Sequence, residues 1–403
     1  MSVGQLALAY LRKQWLMVVL NVLLLSLGLG LMVMSLLSVH QAETALTRDA
    51  QGIDLVVGAK GSPLQLILSG VYHLDLPTGN IRLDDAQTLT QNPVTAPWIQ
   101  RAIPLSLGDS FRGYRIVGTT PEYLALYGAK LAQGQVWNDK MQAVLGSEVA
   151  RSTGLTLQQS FVGGHGLTPG GAQHDDAPYQ VVGVLQPTGT VLDRLILVNS
   201  ESVWFVHEGE VTDAEEKRLL QAEREITLLL ITYRSPLAAT RLPRIINADS
   251  AMQAAAPAAE TARLFELLAP LLATLRALAL ALVIMGALAL FVTLYRATEE
   301  RRYDLAILRL MGASRHQLFA LVCLEAALMA MAGCLLGLAL GHAGTQVLGW
   351  VAQAQGGLPL SAWIFMPEEL WLVAGTLMIA LLAACLPAWR AASAPVSLVL
   401  SQH

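Results

Sequence analysis

The chain has 403 residues, 54% of them hydrophobic and only 14% charged, with a mean hydropathy of +0.50. A soluble domain carries nearer a quarter charged residues, so this composition points to lipid. A formal net charge of -4, with no basic run, no Arg/Lys stripe among aromatics and no zinc-finger spacing, gives no footing for a nucleic-acid partner.

In chain order, residues 1–15 form a short N-terminal segment carrying Arg12 and Lys13. Leu16 to Val39 is uncharged and long enough to cross a hydrocarbon core of about 30 Å. It is too long for the apolar part of a cleaved signal peptide and is expected as a retained first span, 16–39. Residues 40–263 are polar, free of cysteine and long enough for one large domain or two small ones. Short β-rich runs stand out there, at Ile53 to Val57, Tyr114 to Val117, Tyr179 to Leu185, Leu195 to Val198 and Ile226 to Thr232, separated by Gly and Pro. Helical stretches lie between them, including a charged one from Thr212 to Arg224. The region is expected to be α+β, with its core drawn from its two ends and residues 120–223 as an insertion.

Ala251 to Leu275 is rich in Ala and Leu and runs into the next apolar segment. It reads as a stalk helix leading into the second span (264–295 together), limited or kinked by Pro257 and Pro270, or as an amphipathic helix packed on the domain. Residues 296–317 form a connector rich in arginine, 318–351 a third span, 352–369 a connector with no Lys or Arg, 370–389 a fourth span and 390–403 a tail. The basic residues flank the ends in one pattern. Arg12 and Lys13, the connector arginines Arg296, Arg301, Arg302, Arg309 and Arg315, and Arg390 share one side, so the positive-inside rule predicts cytoplasmic termini. The fold class expected is a membrane protein of four transmembrane α-helices with a large α+β extracytoplasmic domain, periplasmic in a cell with two membranes, between helices 1 and 2.

Several chemistries find no support. Gly58-Ala59-Lys60-Gly61-Ser62 lacks the Gly-Lys-Ser/Thr of a phosphate-binding loop, and G-x-S-x-G, H-E-x-x-H and C-x-x-C are absent. The chain is not expected to be an enzyme or to bind a cofactor of its own. His165, His174, Asp175 and Asp176 fall in a Gly-rich stretch, Gly163 to Ala177, with His207 further on. Imidazole and carboxylate groups can bind Zn²⁺, but the spacing is not that of a structural site, and a solvated loop is the plainer account. Gly333, Gly337 and Gly341 recur at intervals of four on span three, a small-residue face serving packing within the chain or a subunit interface. Glu325, just inside that span, needs a partner, water or a proton.

The connector is the most informative stretch. In Glu299 to Arg315, Leu305, Leu308 and Met311 lie at helical spacing with charges opposite, which predicts a short amphipathic helix with an exposed apolar edge. Gly312 can end it in a left-handed conformation and Ser314 can cap the next helix. Such a helix suits the headgroup layer or the grip of an ATPase subunit.

The run from Glu300 to Gly341, centred on Leu308-Arg309-Leu310-Met311-Gly312-Ala313-Ser314, resembles the coupling segment of FtsX/MacB/LolC-type ABC transporter permeases. Pro387-Ala388-Trp389-Arg390-Ala391-Ala392 with Pro395 is similar to that family's closing pattern, departing from it at Ala394, where an acidic residue is common. The order of one span, a large outer domain and three spans also matches.

The resemblance implies a permease subunit working by mechanotransmission, with ATP and Mg²⁺ used by a separate cytoplasmic ABC ATPase dimer that contacts Arg309, Met311, Gly312 and Ala313. It implies a second permease chain, identical or not, in a bacterial inner membrane, with membrane lipid around it and a periplasmic protein as a further partner. An FtsX-like signalling protein, a zinc-linked ABC system and a secondary transporter are the alternatives, the last with Glu325 as its one buried ion-coupling group.

Overall fold

A computed structural model describes residues 3–166, 177–208, 215, 220–221, 223–354 and 357–393. The chain divides into two compact units, Met1–Ala42 with Leu268–His403, and Glu43–Leu267.

Four helices among the described residues are long and apolar enough to cross a membrane, hereafter spans one to four: Trp15–Asp49, Pro257–Glu300, Arg315–Gln353 and Pro367–Ser393; they lie in the first unit except for residues 43–49 and 257–267, which belong to the second. Leu, Ala, Val and Met dominate them, and in lipid a helix is the only open-ended way to satisfy every backbone polar group. Span two has 44 residues, about twice the length needed to cross hydrocarbon. Pro257 does not kink it. It stands at the helix start, where its missing N–H costs nothing, and Met252–Ala255 just ahead is a strand, not part of a stalk helix.

Small residues let the spans touch. A Cβ placed on Gly337 would lie 3.0 Å from Leu29 Cβ and 3.1 Å from the Ser26 carbonyl oxygen. One on Gly341 would lie 2.7 Å from Val33 Cβ, and one on Gly333 3.0 Å from Leu25 Cβ. The face predicted from the four-residue interval therefore lies against span one of the same chain. Span two joins span one through Gly286, packed on Leu25, and Gly28, packed on Val283. Asn21 is 1% exposed and donates to Thr293 Oγ at 2.9 Å, satisfying a polar group that would be costly in hydrocarbon.

Two features of this unit escaped the sequence reading. Val3–Lys13 is an amphipathic helix whose Ala7, Leu6, Tyr10 and Leu11 pack on the helical core. At the opposite end of the spans lies a buried polar cluster. Gln41 donates to the Ser361 carbonyl at 2.9 Å and accepts from its N–H at 2.7 Å. His342 Nδ1 lies 2.6 Å from the Ala362 carbonyl, and its Nε2 lies 3.0 Å from Glu369 Oε2. A carbonyl only accepts, so Nδ1 donates to Ala362 and the imidazole bridges Ala362 and Glu369. Glu325 is thus not the one buried ionisable group of the spans; the His342–Glu369 pair is a second.

The second unit is α+β. Nine strands form a path in the order Met252–Ala255, Leu55–Ala59, Leu228–Tyr233, Ile99–Phe111, Tyr114–Thr119, Leu195–Asn199, Gln142–Leu145, Tyr179–Leu185, Leu131–Gly134. Tyr114–Thr119 with Leu195–Asn199, and Gln142–Leu145 with Tyr179–Leu185, are parallel; the other neighbours on this path are antiparallel. The 13-residue strand Ile99–Phe111 joins two parts: it pairs with Leu228–Tyr233 up to Leu105 and with Tyr114–Thr119 from Ser106. One core gathers Leu55, Val57, Leu229, Ile231, Leu242 and Ile246, the other Ile116, Leu145, Val149, Tyr179, Val181 and Ile196. Most of the helix expected from Thr212 to Arg224 lies outside the described residues.

A buried polar network holds one corner of this unit. Asp49 Oδ1 accepts from Val191 N–H at 2.9 Å, Arg194 lies 3.8 Å from Oδ2, and the Tyr127 hydroxyl donates to the Asp49 carbonyl at 2.6 Å. Burial dominates and raises the Asp49 carboxyl from 3.8 to about 6, against the pull of Arg194 and the Val191 N–H. His73 lies 3.3 Å from the Tyr123 hydroxyl, and burial with the nearby charges of Arg115 and Arg194 lowers it to about 3. Arg115 is held by carbonyls, donating to those of His73 at 3.0 Å and Asp75 at 2.6 Å.

Candidate coupling site

The connector between spans two and three folds as a short helix, Arg302–Leu310. Apolar residues on one side, with Arg302, Asp304 and Arg309 interspersed, give it an amphipathic pattern. Leu305 and Ala306 are buried, and Leu308 packs beside them against the core that holds Leu318, Leu321, Ala388 and Ala391. This corrects the expected apolar edge. Leu305 and Leu308 turn inward, and the exposed apolar surface is the helix tip, Leu310 at 64% and Met311 at 71% exposure.

The tip is fixed by two caps in succession. Gly312 has φ +99°, a region open to glycine and strained for other residues. Its N–H donates to the Arg309 carbonyl at 3.1 Å, and Ala313 N–H to the Leu308 carbonyl at 3.0 Å. These two bonds form a Schellman motif that satisfies the last turn. Ser314 then starts span three with a reciprocal capping box: Gln317 N–H donates to Ser314 Oγ at 3.2 Å, and Ser314 N–H to Gln317 Oε1 at 2.8 Å. Only Met311 to Ala313 separate one helix from the next cap, so the chain turns a stiff corner there.

The root of the connector helix is anchored by charge. Arg301 Nη1 lies 2.9 Å from Glu325 Oε1, with side chains 13% and 2% exposed, and its guanidinium sits 3.9 Å over the Tyr10 ring. Glu325 thus has the partner its position in the span demands. Arg390 at the end of span four donates to the Tyr295 hydroxyl and lies 5.1 Å over its ring. Between connector and span four is a cavity of about 240 Å³ edged by Glu299, Arg302, Leu305, Trp389 and Arg390.

Of the residues singled out in the sequence, Arg309, Met311, Gly312 and Ala313 come together at this corner, with Arg309 and Ala313 half-buried and Met311 and Gly312 exposed. Gly333, Gly337 and Gly341 lie elsewhere, on the face of span three packed against span one. His165 sits in a short strand, Gly164–His165, beside Asp109, while His174, Asp175 and Asp176 lie outside the described residues. Among the described residues no group of three His, Cys, Asp or Glu side chains is placed to hold a metal ion. Ala394 and Pro395 of the closing pattern also lie outside them. The sequence reading missed Tyr10, whose spacing from Leu6 and Ala7 is helical, and the reciprocal role of Gln317 three residues after Ser314.

The site is thus a short, doubly capped corner with an exposed apolar tip, anchored at its root by a buried ion pair. Four apolar helices and an α+β domain define a multi-span membrane protein. The model of the MacB-like periplasmic core domain matches residues 18–242, and that of the FtsX-like permease C-terminal region matches 276–396. The chain belongs to the FtsX/MacB-type ABC transporter permeases.

An uncharacterized ABC transporter permease protein of Mycobacterium tuberculosis is 25% identical over 264 residues, covering 64% of this chain and 29% of that protein. The chain therefore spans under a third of the length of that curated relative. The periplasmic region of MacB from Actinobacillus actinomycetemcomitans aligns over 53% of this chain and 95% of its own, at 13% identity and a TM-score of 0.35.

Proposed function

We propose that the chain is the non-catalytic permease subunit of an ABC transporter, driven by a separate cytoplasmic ATPase and exporting or extracting a substrate by motion of its outer domain. In this reading the protein sits in the inner membrane with both termini and the connector cytoplasmic and the unit Glu43–Leu267 periplasmic. It works beside a second permease chain. The observation that carries the reading is the corner at residues 310–314. Its apolar tip has no cover among the described residues, and its root is tied through Arg301–Glu325 into span three. A push on the tip is therefore delivered to the spans rather than absorbed by a flexible loop.

The test is purification of the tagged protein from its native cell in mild detergent, with mass spectrometry of the proteins that accompany it, repeated for Met311→Asp, Gly312→Ala and Arg309→Glu. An ABC ATPase is expected with the parent protein and lost with Met311→Asp, a change at an exposed side chain that leaves the fold intact. A folded parent protein recovered without any ATPase under several conditions overturns the proposal. A measured substrate flux then separates transport from signalling to a periplasmic partner.

A further inference from the structure

A second cavity of the membrane unit, about 290 Å³, lies between the start of span one and the connector end of span two. Its polar rim is Lys13, Gln14, Arg296 and Glu300, and its apolar side is Trp15, Leu16, Met17 and Val292. Both cations stand at the edge of hydrocarbon: Lys13 comes three residues before Leu16 opens the first uncharged run, and Arg296 directly follows the run ending at Tyr295. That is the depth of the phosphate layer, and Trp15, 63% exposed, is a residue type that settles there.

Charge decides what fits. Among the described residues neither Lys13 nor Arg296 makes an ion pair. The one carboxylate present, Glu300, accepts from the Gln14 amide at 3.4 Å. The cavity thus carries one net positive charge opposite exposed Leu16, Met17 and Val292, which acyl chains would cover.

We propose that this cavity binds the headgroup of an anionic phospholipid, Lys13 and Arg296 taking the phosphate and Leu16, Met17 and Val292 the upper acyl chain. A phosphodiester without a headgroup cation matches the net charge. A choline headgroup brings a cation that meets two others. Basic clefts between spans at the membrane surface hold such headgroups by this combination of charge and depth. The site does not depend on the ATPase reading, since it lies apart from the corner at 310–314.

The experiment uses the full chain in a neutral detergent, titrated with phosphatidylglycerol, with phosphatidylcholine or with inorganic phosphate, and native mass spectrometry to count bound molecules. Phosphatidylglycerol is expected to be retained in preference to phosphatidylcholine and not to be displaced by inorganic phosphate at equal concentration. The double variant Lys13→Gln/Arg296→Gln should weaken retention by about fivefold per cation lost, while Arg315→Gln, an exposed cation outside the cavity, should not. Lys13→Arg/Arg296→Lys, which keeps both charges, should retain the lipid. Equal retention by the parent and the double variant, equal retention of both lipids, or displacement by inorganic phosphate overturns the proposal.

Discussion

Arg301 and Glu325 meet at 2.9 Å where the connector helix begins and span three passes beneath it. Each is nearly excluded from solvent, so neither charge is satisfied without the other. Glu325→Gln should cost about 3–5 kcal/mol, the usual effect of leaving one member of a buried pair alone. The double variant Arg301→Gln/Glu325→Gln should recover much of that loss. Thermal melts in detergent across the four-member cycle check this, and additive single effects would mean the pair is not coupled.

The glycine face can be probed one residue at a time. Gly341→Ala puts a Cβ 2.7 Å from Val33 Cβ and 2.9 Å from a backbone oxygen, so overpacking should cost about 1–3 kcal/mol. Gly344→Ala meets first the sulfur of Met34, which can swing aside, and Gly375→Ala meets nothing within 4 Å. Both should be neutral or stabilising by up to about 1 kcal/mol through helix propensity. Melting temperatures that fail to rank Gly341→Ala lowest would contradict the packing described.

Gly312→Ala forces a Cβ into a left-handed conformation at about 1–2 kcal/mol. There is open space around it, so the cost is conformational and local. The variant should remain folded, with faster amide exchange at Gly312 and Ala313 as the terminal hydrogen bonds loosen. Unchanged exchange there would show that the corner is not held by that geometry.

The Asp49 carboxyl gives a pH signature. Its folded value, about 6, lies above its ordinary 3.8, so the native state holds the proton more tightly than the unfolded chain. Its contribution to stability is therefore greatest below pH 4 and falls as pH rises through 6, by roughly 3 kcal/mol at about 1.4 kcal/mol per unit. His73 runs the other way: lowered to about 3, it adds stability that is lost as pH falls below its ordinary 6.5. The two oppose each other in the parent protein, so the measurable quantity is a difference. From pH 4 to pH 7 the stability of Asp49→Asn relative to the parent should rise by up to about 3 kcal/mol, and a flat difference would refute the assignment.

Glu369 accepts from Met366 N–H at 2.8 Å as well as meeting His342. Glu369→Gln can keep both contacts, with its oxygen toward Met366 and its amide donating to a neutral imidazole. It should cost under about 1 kcal/mol, whereas Glu369→Ala strands His342 and should cost about 1–3 kcal/mol. Comparable losses for the two would mean the pair works through charge rather than hydrogen bonding.

Periodicity and charge made the spans legible, because an uncharged run of that length has few other solutions. The connector corner was legible too, since Gly312 and Ser314 carry their caps in their own chemistry. Ile99–Phe111 was hidden because Pro104 and Gly108 interrupt the usual strand signal. The inward turn of Leu308 was hidden because a short helix shows its apolar stripe without showing which end the neighbouring spans cover. Pairs such as Arg301–Glu325, Asp49–Arg194 and His342–Glu369 join residues far apart in sequence, and only the folded chain brings them together.

If the chain works as proposed, the contact of Gly333, Gly337 and Gly341 with span one bears on what a stroke can be. Backbones that close leave no play along their shared axis: sliding by one residue, 1.5 Å, would drive Leu25, Leu29 and Val33 into the opposing helix. Sliding or rotation of one helix against the other would have to break these close contacts, whereas tilting the pair as one body would keep them. A stroke that enters at the connector would swing spans one and three together as a single lever.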